Sequence, residues 1–498
     1  MKLNKLSYSS FVFVATLLLF LACKETKKEA ISAVNTNKKE KVKVKQRPNI
    51  IYILADDLGY GDLSSYGQVN FKTPNIDALA ANGIKFTQHY TGSAVCAPSR
   101  SSLMTGLHTG HTPIRGNREL KGQEGQEPIP ASSVTIAEVL KEAGYVNGAF
   151  GKWGLGYIGS TGDPINQGFD EFYGYNCQRQ AHRYYPTHLW KNDKKVLLKG
   201  NDYTNMVTYA PDLIQDETLK FIEKNKDTTF FAYVPLVLPH AELMAPKDSI
   251  FKKYVGKFKE VPHTTKERYT SDYGPHINPT EYSSQDKPYA MYASMVDRLD
   301  VYVGQIVAKV KELGIADNTI IMFASDNGPH KEGGANPAYF NSGGGLRGEK
   351  RDLYEGGIRT PFITVWPNKI KAGTTTNMVS AFWDILPTVA DITETTIPAE
   401  VDGVSLVPTL VNQGEQKQHK YLYWEFNIQK GRKAVRKGDW KGVWYKINAE
   451  KQGKFELYNL ATDPKEEYNV ASTNLNIVAE LKQIMKDSHT ESKLFPFK

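Results

Sequence analysis

Residues 49–57 read Asn-Ile-Ile-Tyr-Ile-Leu-Ala-Asp-Asp, an apolar run of strand length that stops at two adjacent acids, Asp56 and Asp57. A strand apolar on both faces has no solvent side, so it belongs inside a sheet that is covered above and below. The pattern recurs. Thr229 to Leu238 (TFFAYVPLVL) runs into Pro239-His240, and Thr319 to Ser325 (TIIMFAS) stops at Asp326-Asn327. Between them lie helical patterns, Thr135 to Ala143 closed by Gly144 and the long Tyr289 to Leu313 closed by Gly314. Glycine at these points marks a helix end, because it takes the left-handed conformation at no steric cost. Together these predict an α/β fold whose large, mostly parallel central sheet lies between helix layers. From about residue 401 the character changes. Tyr421 to Phe426 (YLYWEF), Arg432 to Gly438 and Trp440 to Tyr445 alternate like short antiparallel strands and predict a small C-terminal antiparallel sheet subdomain.

The 498 residues are 40% apolar and 23% charged, which suits a globular chain and excludes disordered, collagen-like and multi-span membrane classes. The net charge of +8 is not spread over the fold. Lys2 and Lys5 stand without acids in residues 1–23, and nine Lys or Arg face three Glu in residues 24–47, so residues 48–498 carry no net charge. Global charge therefore gives no support to nucleic-acid binding. Lys2 and Lys5 precede an apolar run, Phe11 to Ala22, too short to span a bilayer, which reads as an export signal over residues 1–22. Its end, Leu19-Phe20-Leu21-Ala22-Cys23, resembles a bacterial lipoprotein box, in which the cysteine is cleaved free and lipidated; the other reading is an ordinary cleaved signal. With Cys23 acylated, the chain is exported and anchored to a membrane, at the cell surface or facing the periplasm, and the Lys-rich residues 23–46 form a solvated tether. Residues 47–400 then form the main domain and 401–498 the subdomain. Of the two other cysteines, Cys177 is expected to be a buried, inert thiol.

Open α/β sheets bind ligands beyond the carboxyl ends of their strands. Asp56, Asp57, His240, Asp326 and Asn327 all fall there. Two oxygen-ligand pairs at two strand ends suit a hard divalent cation, calcium or magnesium, and not zinc. The most specific stretch is Cys96-Ala97-Pro98-Ser99-Arg100 with its continuation Ser101-Ser102-Leu103-Met104-Thr105-Gly106. Pro98 suits the first turn of a helix, which places Cys96 at the amino end, where backbone N–H groups favour an anion.

This element resembles that of the formylglycine-dependent sulfatases of the alkaline phosphatase superfamily, in which it directs oxidation of the cysteine to formylglycine. Gly151-Lys152-Trp153, Asp326-Asn327-Gly328, and Lys350 followed by Tyr354-Glu355-Gly356-Gly357 match further elements of that family in order, and the similarity extends from about Arg47 to Asp463-Pro464. The resemblance implies one cation per chain, usually Ca²⁺ and less often Mg²⁺, on Asp56, Asp57, Asp326, Asn327 and the modified Cys96. It also implies that Arg100 and Lys152 hold the modified side chain and the sulfate, and that His240, with Lys350 beside the sulfate, protonates the leaving oxygen. A hydrated formylglycine carries two geminal hydroxyls, one to attack sulfur and one to expel sulfate afterwards, a step that an ordinary serine lacks. The expected activity is hydrolysis of sulfate monoesters on polysaccharide or oligosaccharide, such as algal glycans (ulvan among them) or glycosaminoglycans, after a maturation enzyme has acted on Cys96.

Many members carry a histidine two residues after the lysine, where this chain has Gly154. A histidine brought from elsewhere is expected to substitute: His182 first, within the His182-Arg183-Tyr184-Tyr185 cluster, with His111 and His188 as alternatives. The Trp and Arg residues of the tail either pack as core or line a glycan subsite. Two other functions fit parts of the pattern, a phosphate or phosphonate monoester hydrolase of the same superfamily and a non-catalytic binder of sulfated glycans.

Overall fold

In chain order the strands of the large sheet are β1 (Asn49–Ala55), β2 (Ile84–Tyr90), β3 (Val146–Lys152), β4 (Glu171–Tyr175), β5 (His188–Lys191), β6 (Lys194–Leu197), β7 (Phe230–Pro235), β8 (Thr319–Ser325), β9 (Arg359–Val365), β10 (Thr374–Thr376) and β11 (Ser380–Ala381). The computed structural model describes residues 47–120, 124–202, 204–265 and 282–497. The signal segment, Cys23 and the tether to residue 46 lie outside the described residues.

Across the sheet the order is β10-β2-β9-β8-β1-β7-β3-β4-β5-β6, with β11 also pairing with β2. The centre is parallel: β1 pairs in parallel with β7 and β8, and β3 with β7 and β4. Antiparallel pairs join β9 to its neighbours β2 and β8 and build the β4–β5–β6 edge. The sheet is thus mixed and mostly parallel.

The continuous apolar runs split by the two-residue period of a strand. Ile51, Ile53 and Ala55 of β1 join a core shared with α1 (Pro74–Asn82), whereas Ile50, Tyr52 and Leu54 join the opposite core, shared with α2 (Cys96–Thr105) and α3 (Ile136–Glu142). The first core is completed by α4 (Ala210–Lys224) and α5 (Pro288–Glu312), the second by α6 (Ile385–Thr393). One helix start is fixed by its own side chains. Thr135 caps α3 reciprocally, its hydroxyl accepting from Glu138 N–H at 3.2 Å while Glu138 Oε2 accepts from Thr135 N–H at 2.8 Å.

One strand is shorter than the sequence pattern suggests. β7 ends at Pro235, and the apolar residues up to Leu238 leave the ladder. Asp56 N–H donates to Leu238 O at 3.1 Å and Tyr184 hydroxyl to Val237 O at 2.8 Å, so this segment curls back over the end of β1 and delivers His240 there.

The tail forms a second, antiparallel sheet of β12 (Leu422–Phe426), β13 (Arg432–Lys437), β14 (Trp440–Tyr445) and β15 (Phe455–Asn459). One face packs on the main body through Trp424, whose ring meets Tyr90 at 5.4 Å and Trp383 at 5.7 Å and whose indole N–H donates to Thr91 O at 2.9 Å. The other face is covered by α7 (Leu475–Asp487) through Leu481 and Met485. Trp424 is therefore core, and Trp440 and Trp444 pack against the cluster under α7.

Polar groups also join the two sheets. Lys441 on β14 is fully buried and its Nζ lies 2.8 Å from Glu355 Oε1 and 3.0 Å from Glu466 Oε1. Removing one partner of a buried ionic cluster leaves uncompensated charge behind. Lys441→Met is expected to cost about 3–5 kcal/mol, read as a lower urea midpoint. A midpoint equal to the parent's would mean that Glu355 and Glu466 tolerate each other without the lysine.

Candidate active site

Because β1 and β8 run parallel and in register, their carboxyl ends coincide, and the residues that follow them meet. Asp57 N–H donates to Asp326 Oδ1 at 3.1 Å, and Asn327 Nδ2 donates to Asp57 Oδ1 at 2.6 Å. Three cations arrive from three other places. Lys152, at the end of β3, donates from Nζ to Asp56 Oδ2 at 2.7 Å. Arg100, on α2, donates from Nε and Nη2 to Asp326 Oδ2 at 3.0 and 2.8 Å, and from Nη1 to the carbonyl of Lys152. Lys350, between β8 and β9, donates from Nζ to Asp57 Oδ2 at 2.7 Å and to His240 Nε2 at 2.9 Å. All six charged side chains are buried.

The glycine of Gly151-Lys152-Trp153 has a steric reason. Gly151 has φ 135°, and a Cβ there would lie 2.0 Å from Pro235 O on the adjacent strand. Close approach of β3 to β7 thus requires glycine just before Lys152.

Cys96 is the first residue of α2, and Pro98 follows within the first turn. Only 1% of Cys96 is exposed, and its Sγ donates to Asp56 Oδ1 at 3.3 Å. Burial, reinforced by Asp326 and Asp56, pushes the thiol well above its ordinary range. Unmodified Cys96 is therefore a protonated thiol and a poor nucleophile.

His240 is held neutral, with burial bringing it down to about 4. Its Nδ1 faces Ala241 O and its Nε2 faces Lys350 Nζ, which sets the tautomer with the proton on Nδ1. His182 stacks on His240, with ring centroids 4.5 Å apart and planes 8° apart. Its Nδ1 is buried and has no hydrogen-bond partner among the described residues. Burial, then His240 and Lys152, hold His182 neutral as well. At Gly154 φ is 80°, and a Cβ would lie 2.6 Å from Gln178 Nε2, so Gln178 fills the space beside that position.

The other two histidines considered for this role are elsewhere. His111 follows the far end of α2, where its Nδ1 lies 2.9 Å from Asp402 Oδ1. His188 lies on β5 with its Nε2 2.7 Å from Glu124 Oε1. Neither lines the cavity over Cys96; a lone histidine carries no pattern that reveals its tertiary address.

That cavity has a volume of about 340 Å³, at the small end for ligand pockets. Cys96, His182, His240 and Lys350 line it, together with residues that sequence reasoning missed: Asn117, Gln178, Tyr282 and Arg351 from loops, and Phe426, Ile428 and Gln429 from the β12–β13 hairpin. The tail does reach the cavity, but by its hairpin tip and not by its tryptophans.

The donor set fits a hard cation. Oxygens of Asp56 and Asp57 converge with Cys96 Sγ and His240, one atom from each within 4.8 Å of the others. Asn327 Oδ1 is buried without a partner among the described residues, and Asp326 joins the same cluster. Burial and then the neighbouring Asp56 carboxylate hold Asp326 up at about 7, even against Arg100. A divalent cation among these oxygens would relieve that repulsion and satisfy the amide carbonyl.

Comparison with known proteins agrees with this geometry. Residues 48–395 match the sulfatase family and residues 347–491 the C-terminal region of N-sulphoglucosamine sulphohydrolase. The chain is 31% identical to an arylsulfatase of Hemicentrotus pulcherrimus, over 85% of this chain and 72% of that protein. It is 30% identical to the N-acetylgalactosamine-6-O-sulfatase of Bacteroides thetaiotaomicron, over 89% of this chain and 94% of that protein. Among solved structures, Ps i-CgsB in complex with k-i-k-neocarrahexaose superposes with a TM-score of 0.72 at 28% identity, covering 89% of this chain and 93% of that one. With strand-end acids, Cys96 element and matched length in agreement, the chain belongs to the sulfatase family of the alkaline phosphatase superfamily and is a sulfuric ester hydrolase.

Proposed function

We propose that this sulfatase removes sulfate from a sulfated saccharide, using a formylglycine made from Cys96 and a calcium ion held by Asp56, Asp57, Asp326 and Asn327. The observation that carries it is the setting of Cys96: a buried, protonated thiol at a helix amino terminus, in contact with Asp56, beside the Lys350–His240 pair. A saccharide substrate is supported by a relative whose name records action on a sulfated amino sugar and by the complex of Ps i-CgsB with k-i-k-neocarrahexaose.

When present, the formylglycine hydrate and the cation supply an acidified hydroxyl for attack on sulfur and a second hydroxyl through which sulfate leaves. The chain's own residues do the rest. Lys152 and Lys350 place ammonium groups where negative charge grows on the sulfate oxygens, and Arg100 fixes both Asp326 and the Lys152 backbone. Lys350 and His240 share a hydrogen bond, so the proton for the departing sugar oxygen is held at that pair. His182, stacked on His240, takes the place of the histidine that many family members carry at the Gly154 position. Cys96 is too buried for a maturation enzyme to reach after folding, so oxidation precedes the packing of α2. Export, and anchoring through lipidated Cys23, complete the proposal: they place the enzyme where extracellular glycan fragments arrive.

Three outcomes are expected. The mass of the Cys96 peptide, from protein made in a host competent for the oxidation, should correspond to an aldehyde in place of the thiol; a plain thiol in fully active protein overturns the proposal. His240→Ala should lower kcat about 10²–10⁴-fold on saccharide sulfates, and much less on aryl sulfates, whose leaving groups need no proton. An equal loss on both would assign His240 a purely structural role. His182→Ala should lower kcat about 10–100-fold, on the scale of one lost hydrogen bond to a charged group, and turnover at the parent rate would refute the substitution for the family histidine.

A further inference from the structure

Arg351 follows Lys350 directly, yet nothing in the chemistry above uses it. It lines the cavity beside Tyr282 and the β12–β13 hairpin tip, and 36% of its side chain is exposed at the cavity mouth. Its backbone is unusual. With φ 80° Arg351 occupies the left-handed region, which a non-glycine residue keeps only where its surroundings hold it there. They do. Its N–H donates to Ala94 O at 2.8 Å, two residues before Cys96, and its carbonyl accepts from Arg432 Nη1 of β13. The turn is pinned from both sides, by the loop before Cys96 and by the small sheet.

What this costly conformation presents is a guanidinium fork. Nη2 donates to Glu332 Oε1, and Glu332 is the fork's only partner among the described residues. A guanidinium has five N–H donors, so most of this one's capacity is unspent at the cavity wall. Glu332 does not neutralise it alone, since the same carboxylate also lies 3.6 Å from Lys350 Nζ. One acid therefore stands between two cations. Burial favours its protonation, but Lys350 and Arg351 outweigh that and keep it ionised, fixed as an anchor for the fork. Across the cavity wall the other arginine, Arg179, has a carboxylate of its own in Glu119.

The geometry points to Arg351 as a specificity-determining residue that binds a second oxyanion of the substrate, a carboxylate or a further sulfate on the saccharide whose scissile ester lies over Cys96. This rests on the reading of the chain as a saccharide sulfatase and goes beyond it. Planar, two-pronged donors match carboxylate and sulfate oxygens, and partial exposure at the mouth suits a group that reads the substrate's periphery and leaves the sulfur to Lys152 and Lys350. The preferred substrate is then a dianionic saccharide, not a monosulfated neutral one.

The test compares two matched pairs, a monosulfated hexosamine with its disulfated counterpart and a monosulfated disaccharide with and without a uronate. The variants are R351Q and R351G; the second suits the positive φ and should fold at least as well as the parent. The parent should favour the dianionic member of one pair at least tenfold in kcat/KM, mainly through KM, and both variants should bring that ratio close to one. Which pair responds tells sulfate from carboxylate. The assignment is overturned if the parent shows no preference in either pair, or if the preference survives both variants. It is also overturned if the variants lose equally on both members and on an aryl sulfate, since that marks Arg351 as a support for Lys350. The same pairs titrated into Cys96→Ala protein, parent and R351Q, read binding without turnover. Tenfold tighter binding of the dianion that R351Q abolishes, while the parent chain with Cys96 intact and made in a host competent for the oxidation hydrolyses no sulfate ester, would leave Arg351 standing and sink the proposed function.

Discussion

Three buried carboxylates facing three buried cations are the constraint around which this molecule is arranged. An ion taken from water costs several kcal/mol, and only well-placed opposite charge offsets it. Each partner here is remote in sequence. Lys152 lies 96 residues from Asp56, Arg100 226 from Asp326, and Lys350 293 from Asp57. No local piece of chain can satisfy the acids at the ends of β1 and β8. The central strand order, which sets β3 next to β7 and β8 next to β1, brings Lys152 to the acids, while α2 and the β8–β9 connection deliver Arg100 and Lys350. Even so, the balance is incomplete: Asp326 resists ionisation, and Asn327 Oδ1 has no partner among the described residues.

The parts of this arrangement legible in the sequence were those with a local pattern. β1 and β8 are apolar throughout because both of their faces are covered, and the abrupt stop at Asp56-Asp57 and Asp326-Asn327 marks where the sheet ends and chemistry begins. The long helix α5 showed itself by its period and its closing Gly314. His182 stands among Arg and Tyr neighbours in the sequence, and its ring stacks on His240. His111 and His188, which have no such pattern around them, bond to Asp402 and Glu124 instead. The early end of β7 was hidden because Leu236 to Leu238 remain buried after leaving the ladder, and hydrophobicity alone does not distinguish a strand from a packed turn.

The cavity wall was hidden for a different reason. Gln429 and Lys430 both adopt positive φ without being glycine, and Arg351 does the same. Such conformations are imposed by tertiary contacts, here by Arg432 reaching from the small sheet to the Arg351 carbonyl, and leave no mark in composition. Trp424 and Lys441 in turn fix that sheet against the main body. The tail is therefore as much a part of the cavity as the strands that carry the acids.

The floor and the rim of the cavity thus have separate origins. Every charged group of the floor comes from residues before 351, whereas Phe426, Ile428 and Gln429 belong to a hairpin that, among the described residues, shares no ion pair with it. Replacements of Phe426 and Ile428 at the hairpin therefore alter the rim without removing a charge from the floor, as long as Arg432 keeps its hold on the Arg351 carbonyl. Evolution can accordingly recut the fit for a new sugar while inheriting the ester-cleaving apparatus whole, a modularity that one covalent chain does not advertise.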